Sequence, residues 1–176
     1  MLAELFSLRN RTALITGGSR GIGKVIAAAF LEAGARVYIS SRKADQCDAT
    51  ARELARRSGN CHSIPRDIST IDGCRSLAAA YLQRESTLDI LVNNAGASWL
   101  ADFDEFPERG WDKVLDLNLK SPFFLTQALS HALETAATAD KPAKVINIAS
   151  MDGIILNPVE AYSYTCLLYT SPSPRD

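Results

Sequence analysis

Metal-ligand spacings are missing from this sequence. Its four cysteines, Cys47, Cys61, Cys74 and Cys166, show no C-x-x-C step and no histidine at ligand distance, which excludes the common zinc arrangements. Buried, reduced thiols of a cytosolic protein are expected instead. The only two histidines, His62 and His131, stand alone and are expected to be structural or exposed. No basic block interrupts the chain: 19 Lys and Arg against 20 Asp and Glu leave a net charge of −1, which argues against a nucleic-acid partner. No apolar run is long enough to cross a bilayer. The opening "MLAELFSLRNRTALITGG" lacks the basic, apolar and small-residue succession of a secretory leader. A cytoplasmic protein without a membrane partner is therefore expected. Internal repeats and linker-like stretches are also absent, and 176 residues suffice for one domain with a core.

What is present is alternation. Short β-branched runs, "TALIT" (12–16), "RVYIS" (36–40), "CHSIP" (61–65), "DILVN" (89–93) and "AKVINIA" (143–149), read as five strands. Between them lie amphipathic stretches expected to be helical. The first runs from Gly21 to Ala33, with Val25, Ile26, Ala29 and Phe30 inward and Gly34 closing it. Others span 44–57, ended by Gly59 and Asn60, and Asp72 to Glu85, with Leu77, Ala78, Tyr81 and Leu82 inward. A long helix is expected from Arg109 to Thr135. Strands joined by helical crossovers imply an α/β fold, a doubly wound parallel sheet covered on both faces.

"TGGSRGIG" (16–23) joins the first strand to the first helix. Gly17, Gly21 and Gly23, with Ser19, Arg20 and Ile22 between them, suit a tight turn, close approach to a pyrophosphate, and close helix–strand packing. The helix N-terminus adds free N–H groups and a positive dipole end. A ligand-free glycine turn is the alternative, and the strand–loop–helix context weighs against it. At the end of the second strand, where an NAD-binding chain tends to place Asp or Glu, stand Ser40, Ser41, Arg42 and Lys43. A guanidinium pairs with a 2′-phosphate that a carboxylate would repel, so NADP is the expected cofactor. The plainer alternative, a solvated helix start, is weakened because cations oppose the dipole there.

With "RDIS" (66–69), "NNAG" (93–96) and "INIAS" (146–150), the glycine loop completes a motif set that resembles the short-chain dehydrogenase/reductase family. The wider pattern, including "SWLADFDEFPERGWDKVLDLN" (98–118), is most similar to rhamnolipid-type 3-oxoacyl carrier-protein reductases. The resemblance implies a Rossmann sheet and places Asp67 and Ile68 along the adenine. It places Asn93, Ala95 and Gly96 beside the nicotinamide ribose. From the family's Asn-Ser-Tyr-Lys group it assigns Asn118 and Ser150. Tyr162 and Tyr164 lie 12 and 14 residues after Ser150, either side of the family norm. The subgroup's Tyr-x-Tyr pair, with its second member as the acid, implies Tyr164. Neither tyrosine has the family's lysine four places on: Cys166 and Leu168 stand there. Pro122 has no N–H for the carbonyl of Asn118, so either a carbonyl is freed to hold a water or the helix is simply kinked.

The implied function is NADPH-dependent reduction of a small-molecule carbonyl, such as a 3-oxoacyl substrate, by a homo-oligomer (dimer or tetramer). Trp99, Leu100, Ile154 and Leu156 are candidate apolar walls of its cleft. A noncatalytic dinucleotide-binding sensor and a partner-binding scaffold are the competing readings. The ending "CLLYTSPSPRD" (166–176) writes back in one frame to a string resembling the transposase adaptor of sequencing libraries. Residues 1–165 are thus expected to be a truncated NADP-binding domain and 166–176 a non-native tail. The family's last two strands are then missing, strand five is a bare edge, and the chain is expected to be poorly soluble and inactive. Sequencing the source gene across codon 165 tests the tail.

Overall fold

A computed structural model describes residues 6–154 and 160–170, apart from the side chains of 57, 58, 169 and 170. Leu156 and most of the expected tail lie outside the described residues. Five strands form one parallel sheet: β1 (Thr12–Thr16), β2 (Arg36–Ser40), β3 (Cys61–Ser63), β4 (Ile90–Asn93) and β5 (Lys144–Asn147). Their spatial order is β3-β2-β1-β4-β5. The chain therefore winds outward from β1 to β3 and then reverses, crossing back to β4. At such a reversal, the two loops leaving the carboxyl ends of the neighbouring strands diverge and open a crevice.

Among the described residues, five α-helices lie between strands, α1 (Gly21–Glu32), α2 (Ala44–Ser58), α3 (Ile71–Leu82), α4 (Glu108–Leu115) and α5 (Ser121–Ala136), and α6 (Tyr162–Thr170) follows β5. Alternation along the strands separates two cores. Ala13, Ile15, Val37, Ile39, Ile90 and Val92 pack with Ala27, Leu31, Cys47 and Leu54 of α1 and α2. Leu14, Tyr38 and Leu91 face the opposite side, with Leu77, Tyr81, Leu125 and Leu129 of α3 and α5. Both faces of β1, β2 and β4 are covered, which explains their unbroken apolar character. Cys47, Cys61 and Cys74 are buried; burial pushes the Cys61 thiol up to about 11 and holds the others above the ordinary value.

Two inward faces and one helix differ from expectation. On α1 the stripe is Gly23, Ala27 and Leu31, while Val25 is 68% exposed. Small residues at four-residue spacing let this helix sit close over the sheet, and that steric demand outranks the hydrophobicity of Val25. On α3, Cys74 takes the inward place expected for Leu82, which is partly exposed beyond the last buried turn at Tyr81. The expected helix from Arg109 to Thr135 is interrupted by a π turn, Asp116–Lys120, in which the Ser121 N–H reaches back five residues to the Asp116 carbonyl. Pro122 cannot donate to the carbonyl four residues before it, and the wider turn absorbs the missing bond.

Among the described residues β5 pairs only with β4. Val145, Ile146 and Ile148 are each more than a third exposed, and Leu119 and Phe123 stand out beside them. An open edge with apolar side chains on both faces is a template for association. Lysine at Val145 is expected to lower self-association, read by light scattering at a fixed concentration. Equal scattering by the parent and the Val145→Lys variant would contradict this.

Candidate active site

The glycine loop is held from below by the start of the β4 loop. Thr16, the last residue of β1, accepts N–H bonds at its Oγ1 from Asn94 and Ala95, both 3.0 Å, and donates to the Val92 carbonyl at 3.3 Å. Asn94 Nδ2 returns a bond of 2.9 Å to the Thr16 carbonyl. The loop lies so close that a Cβ on Gly23 would stand 2.5 Å from both Asn94 Nδ2 and the Gly17 oxygen. Gly17 also has φ +66°, in the left-handed region that side chains disfavour. Space over Gly21 is open, with nothing within 4 Å of a Cβ placed there. No acidic residue occupies the first turn of α1, so its positive end is unopposed.

The neighbouring strand ends are tied to this loop. Gly18 N–H donates to the Ser40 carbonyl at 3.2 Å, and Arg66 N–H donates to the Ser41 carbonyl at 3.2 Å. These bonds line up the expected cofactor residues Gly17, Ser19, Arg20, Gly21, Gly23, Ser41, Arg42 and Asp67 along one carboxyl edge of the sheet. Arg20, Arg42 and Asp67 are exposed there, whereas Ser19 is buried and its carbonyl accepts from Thr50 Oγ1 at 2.9 Å. Ile68 differs: its side chain is 6% exposed and belongs to the core between sheet and α3. Its carbonyl accepts from the buried Cys74 Sγ at 3.4 Å.

A groove of about 1230 Å³ runs from α1 across the β1–β4 reversal to α6. It gathers Ile22, Asn93, Ala95, Gly96, Asn118, Ser150 and Tyr164 from five separate segments. Asn93 is buried; its Nδ2 donates to Asn147 Oδ1 at 2.9 Å and so fixes β5 to β4 at the groove floor. Ser150 accepts the Asp152 N–H at Oγ, 3.3 Å, capping the short 3₁₀ turn Met151–Gly153. That bond uses a lone pair and leaves the hydroxyl proton to donate. Asn118 is spoken for: its Oδ1 accepts the Ala97 N–H and its Nδ2 donates to the Ala97 carbonyl, both 2.8 Å. The side chain thus staples the π turn to the β4 loop.

Tyr164 lines the groove and Tyr162 does not. Two residues apart on a helix, the rings point to different faces. Tyr162 lies edge-on to Phe103 and Phe106, with centroids 5.4 and 5.7 Å away. Burial, with the carboxylates of Glu160, Asp102 and Asp104, holds its phenol above the ordinary value. Leu168, one helical turn beyond Tyr164, also lines the groove. Of the expected apolar walls among the described residues, Leu100 lines the groove and Trp99 and Ile154 do not. Trp99 covers Gly110, with Arg109 and Lys113 over its ring at 5.5 and 5.0 Å, and Ile154 points to solvent at 76% exposure. Leu119, Phe123 and Ile148 supply the apolar lining instead. Thr16 and Asn94, which hold the loop, lie inside the quoted motifs, yet nothing in their spacing marks them as its clamp. Among the described residues no three metal-ligating side chains cluster, and no helix is long and apolar enough to cross a membrane.

A glycine loop clamped at a strand-order reversal, opening onto a groove with a serine and a tyrosine, defines a dinucleotide-fold oxidoreductase architecture. The short chain dehydrogenase family profile matches residues 11–166, and the chain belongs to that family. It is 50% identical over 159 residues to the rhamnolipids biosynthesis 3-oxoacyl-[acyl-carrier-protein] reductase of Pseudomonas aeruginosa, covering 90% of this chain and 62% of that one. Its fold superposes on the Pseudomonas aeruginosa RhlG/NADP active-site complex with a TM-score of 0.90 at 48% identity, covering 93% of this chain and 64% of that one. A short-chain type dehydrogenase/reductase from Mycobacterium marinum aligns with a TM-score of 0.85 at 31% identity, covering 94% and 66% respectively. The chain thus spans less than two thirds of the length of these relatives.

Proposed function

We propose that this chain carries the NADP-binding and substrate-facing part of a carbonyl reductase acting on 3-oxoacyl compounds. The observation that carries the reading is the single groove joining the first turn of α1 to Ser150 and Tyr164. The residues fit a phosphorylated dinucleotide. Gly17 and Gly23 leave no room for a side chain beneath the loop, Gly21 leaves open space above it, and no carboxylate follows β2. Ser40 Oγ, buried at the end of that strand, makes no hydrogen bond to any described residue. Ser41, Arg42 and Arg20 would hold a 2′-phosphate, the α1 N-terminus the pyrophosphate, and Asn93, Ala95 and Gly96 the nicotinamide ribose. Bound NADPH supplies a hydride.

The chain's own groups do the rest. Ser150 donates a hydrogen bond to the substrate carbonyl oxygen, keeps its proton, and stabilises negative charge building there. Tyr164 delivers a proton to that same oxygen from the α6 side. Leu100, Leu119 and Phe123 offer an apolar wall suited to an acyl chain. Residues 1–165 form the binding domain in this reading, and the whole enzyme works in the cytoplasm as a dimer or tetramer. One observation favours a second reading, a noncatalytic dinucleotide-binding sensor. Leu168 occupies the position at which the family resemblance expects an ammonium, so this chain is expected to bind without turnover.

Fluorescence titration tests the dinucleotide site that both readings share. NADPH is expected to bind at least about tenfold more tightly than NADH, because one bidentate charged contact contributes roughly 1.5–3 kcal/mol. Equal affinities would sink the 2′-phosphate assignment, and no binding of either would leave only a scaffold.

A further inference from the structure

Charge is unevenly distributed along the groove. At the cofactor end Arg20 and Arg42 are exposed on the carboxyl edge of the sheet, and the unopposed start of α1 adds a positive pole. At the Ser150 end the sign reverses. Among the described residues that line the groove, Asp152 is the only one that carries a formal charge. The cations of α4 and of the π turn are engaged elsewhere. Lys120 Nζ donates to Asp116 Oδ1 at 2.9 Å, and Arg109 and Lys113 lie over the Trp99 ring. The rim is acidic too: Ala101 N–H donates to the Glu160 carbonyl at 3.3 Å, which seats Asp102 and Glu160 next to Leu100 and Ala161 of the lining.

Asp152 is also held close to the reacting position. Its N–H donates to Ser150 Oγ at 3.3 Å, so its Cα lies within about 5 Å of the oxygen that would meet the substrate carbonyl. Behind it Gly153 is buried, and a Cβ there would stand 2.9 Å from the Leu168 carbonyl oxygen. The turn is thus pressed onto α6, and Asp152 cannot swing away without giving up that seat. The residue itself is half-buried, between the packed turn and the groove.

We propose that Asp152 is a specificity-determining residue: it admits 3-oxoacyl groups whose carboxyl carbon is blocked as an ester, thioester or amide, and turns away free 3-oxo acids. This deepens the function stated above and rests on it. In a 3-oxo acid the carboxylate carbon is two bonds from the ketone carbon. A ketone oxygen bonded to Ser150 therefore carries that carboxylate into the neighbourhood of Asp152. No cation among the described lining residues offsets the repulsion, and a partly buried pair is screened less by salt than an exposed one. A blocked carboxyl group presents nearly the same shape without the charge.

The pair 3-oxooctanoate and 3-oxooctanamide differs in charge and hardly in shape. Ligand-observed NMR titration onto the chain saturated with NADP+, which has no hydride to give, reads equilibrium binding at neutral pH. Two like charges about 7 Å apart in a partly screened site correspond to roughly fivefold in an equilibrium constant, so the amide is expected to bind about fivefold more tightly than the acid. Asp152→Asn is expected to bring the two affinities together by strengthening the acid and leaving the amide as it was. The bond to Ser150 uses the main-chain N–H, so the turn is expected to survive the change. Asp152→Glu keeps the charge and is expected to keep the preference. In the parent, raising NaCl from about 20 to about 500 mM is expected to narrow the gap. Equal affinities in the parent, or a preference that survives in Asp152→Asn, overturn the role of Asp152 and leave the reductase reading standing. Binding of neither ligand by a chain that holds NADP+ sinks the 3-oxoacyl reading and this proposal together.

Discussion

Lysine in place of Leu168 is expected to raise the rate at which the chain oxidises NADPH in the presence of a 3-oxoacyl thioester. Residue 168 lies one helical turn past Tyr164, and both side chains line the same groove. A lysine stem there reaches back toward the phenol, because helical side chains lean to the N-terminal side. An ammonium beside a phenol favours the phenolate and so makes the group a better partner for proton transfer near neutral pH. General acid–base catalysis typically contributes about 10²–10⁴-fold, so a rise of at least about 100-fold in kcat over the parent is expected. Stopped-flow absorbance of NADPH measures it. Tyr164→Phe in the Leu168→Lys background is expected to return the rate to the parent level. If the double variant kept the gained activity, Tyr164 would not be the acid. If Leu168→Lys bound NADPH normally and gained nothing, the noncatalytic reading would be preferred.

The second large effect is expected at Gly23. Alanine there sets a methyl group 2.5 Å from the Gly17 carbonyl oxygen and from Asn94 Nδ2. Neither neighbour can yield cheaply. The carbonyl belongs to a turn already at positive φ, and Asn94 is held by its bond to the Thr16 carbonyl. Overpacking of this kind costs about 1–3 kcal/mol, and losing the Asn94 bonds adds about 1 kcal/mol. Urea denaturation is expected to show a loss of about 2–4 kcal/mol, and NADPH affinity is expected to fall by at least about 100-fold as the loop lifts from its seat. Gly21→Ala is the contrast. It also has positive φ, +53°, yet its Cβ meets nothing within 4 Å, so only backbone strain of about 1–2 kcal/mol is expected. Similar losses in the two variants would mean that strain, and not close packing against Asn94, shapes the loop.

The strands and helices were legible in the sequence because their periods are properties of the local backbone. "TALIT", "RVYIS" and "DILVN" are apolar through their centres, as strands covered on two faces must be, and the glycine loop sits where β1 gives way to α1. The motif set also pointed to most of the groove. Ile22, Asn93, Ala95, Gly96, Asn118, Ser150 and Tyr164 meet in one cavity although they span most of the chain. Other features were hidden. Trp99 reads as a cleft wall by hydrophobicity, yet Gly110 offers its ring a flat seat and two cations cover it. Val25 reads as core, but the sheet accepts only Gly23 and Ala27 at that distance.

By itself, then, the sequence determined the parallel α/β class, the phosphate-suited turn after β1, the cationic end of β2, and the leucine standing four places beyond Tyr164. Those are matters of residue type and spacing along one chain. Tertiary structure alone decided that Asn118 bonds through its amide to Ala97, that Thr16 and Asn94 seat the glycine loop, and that Tyr164 lines the groove while Tyr162 packs on Phe103 and Phe106. Each of these is a contact between segments brought together by the order of the strands. Strand order follows from how the helical crossovers pack over the sheet, a condition that no local pattern of side chains encodes.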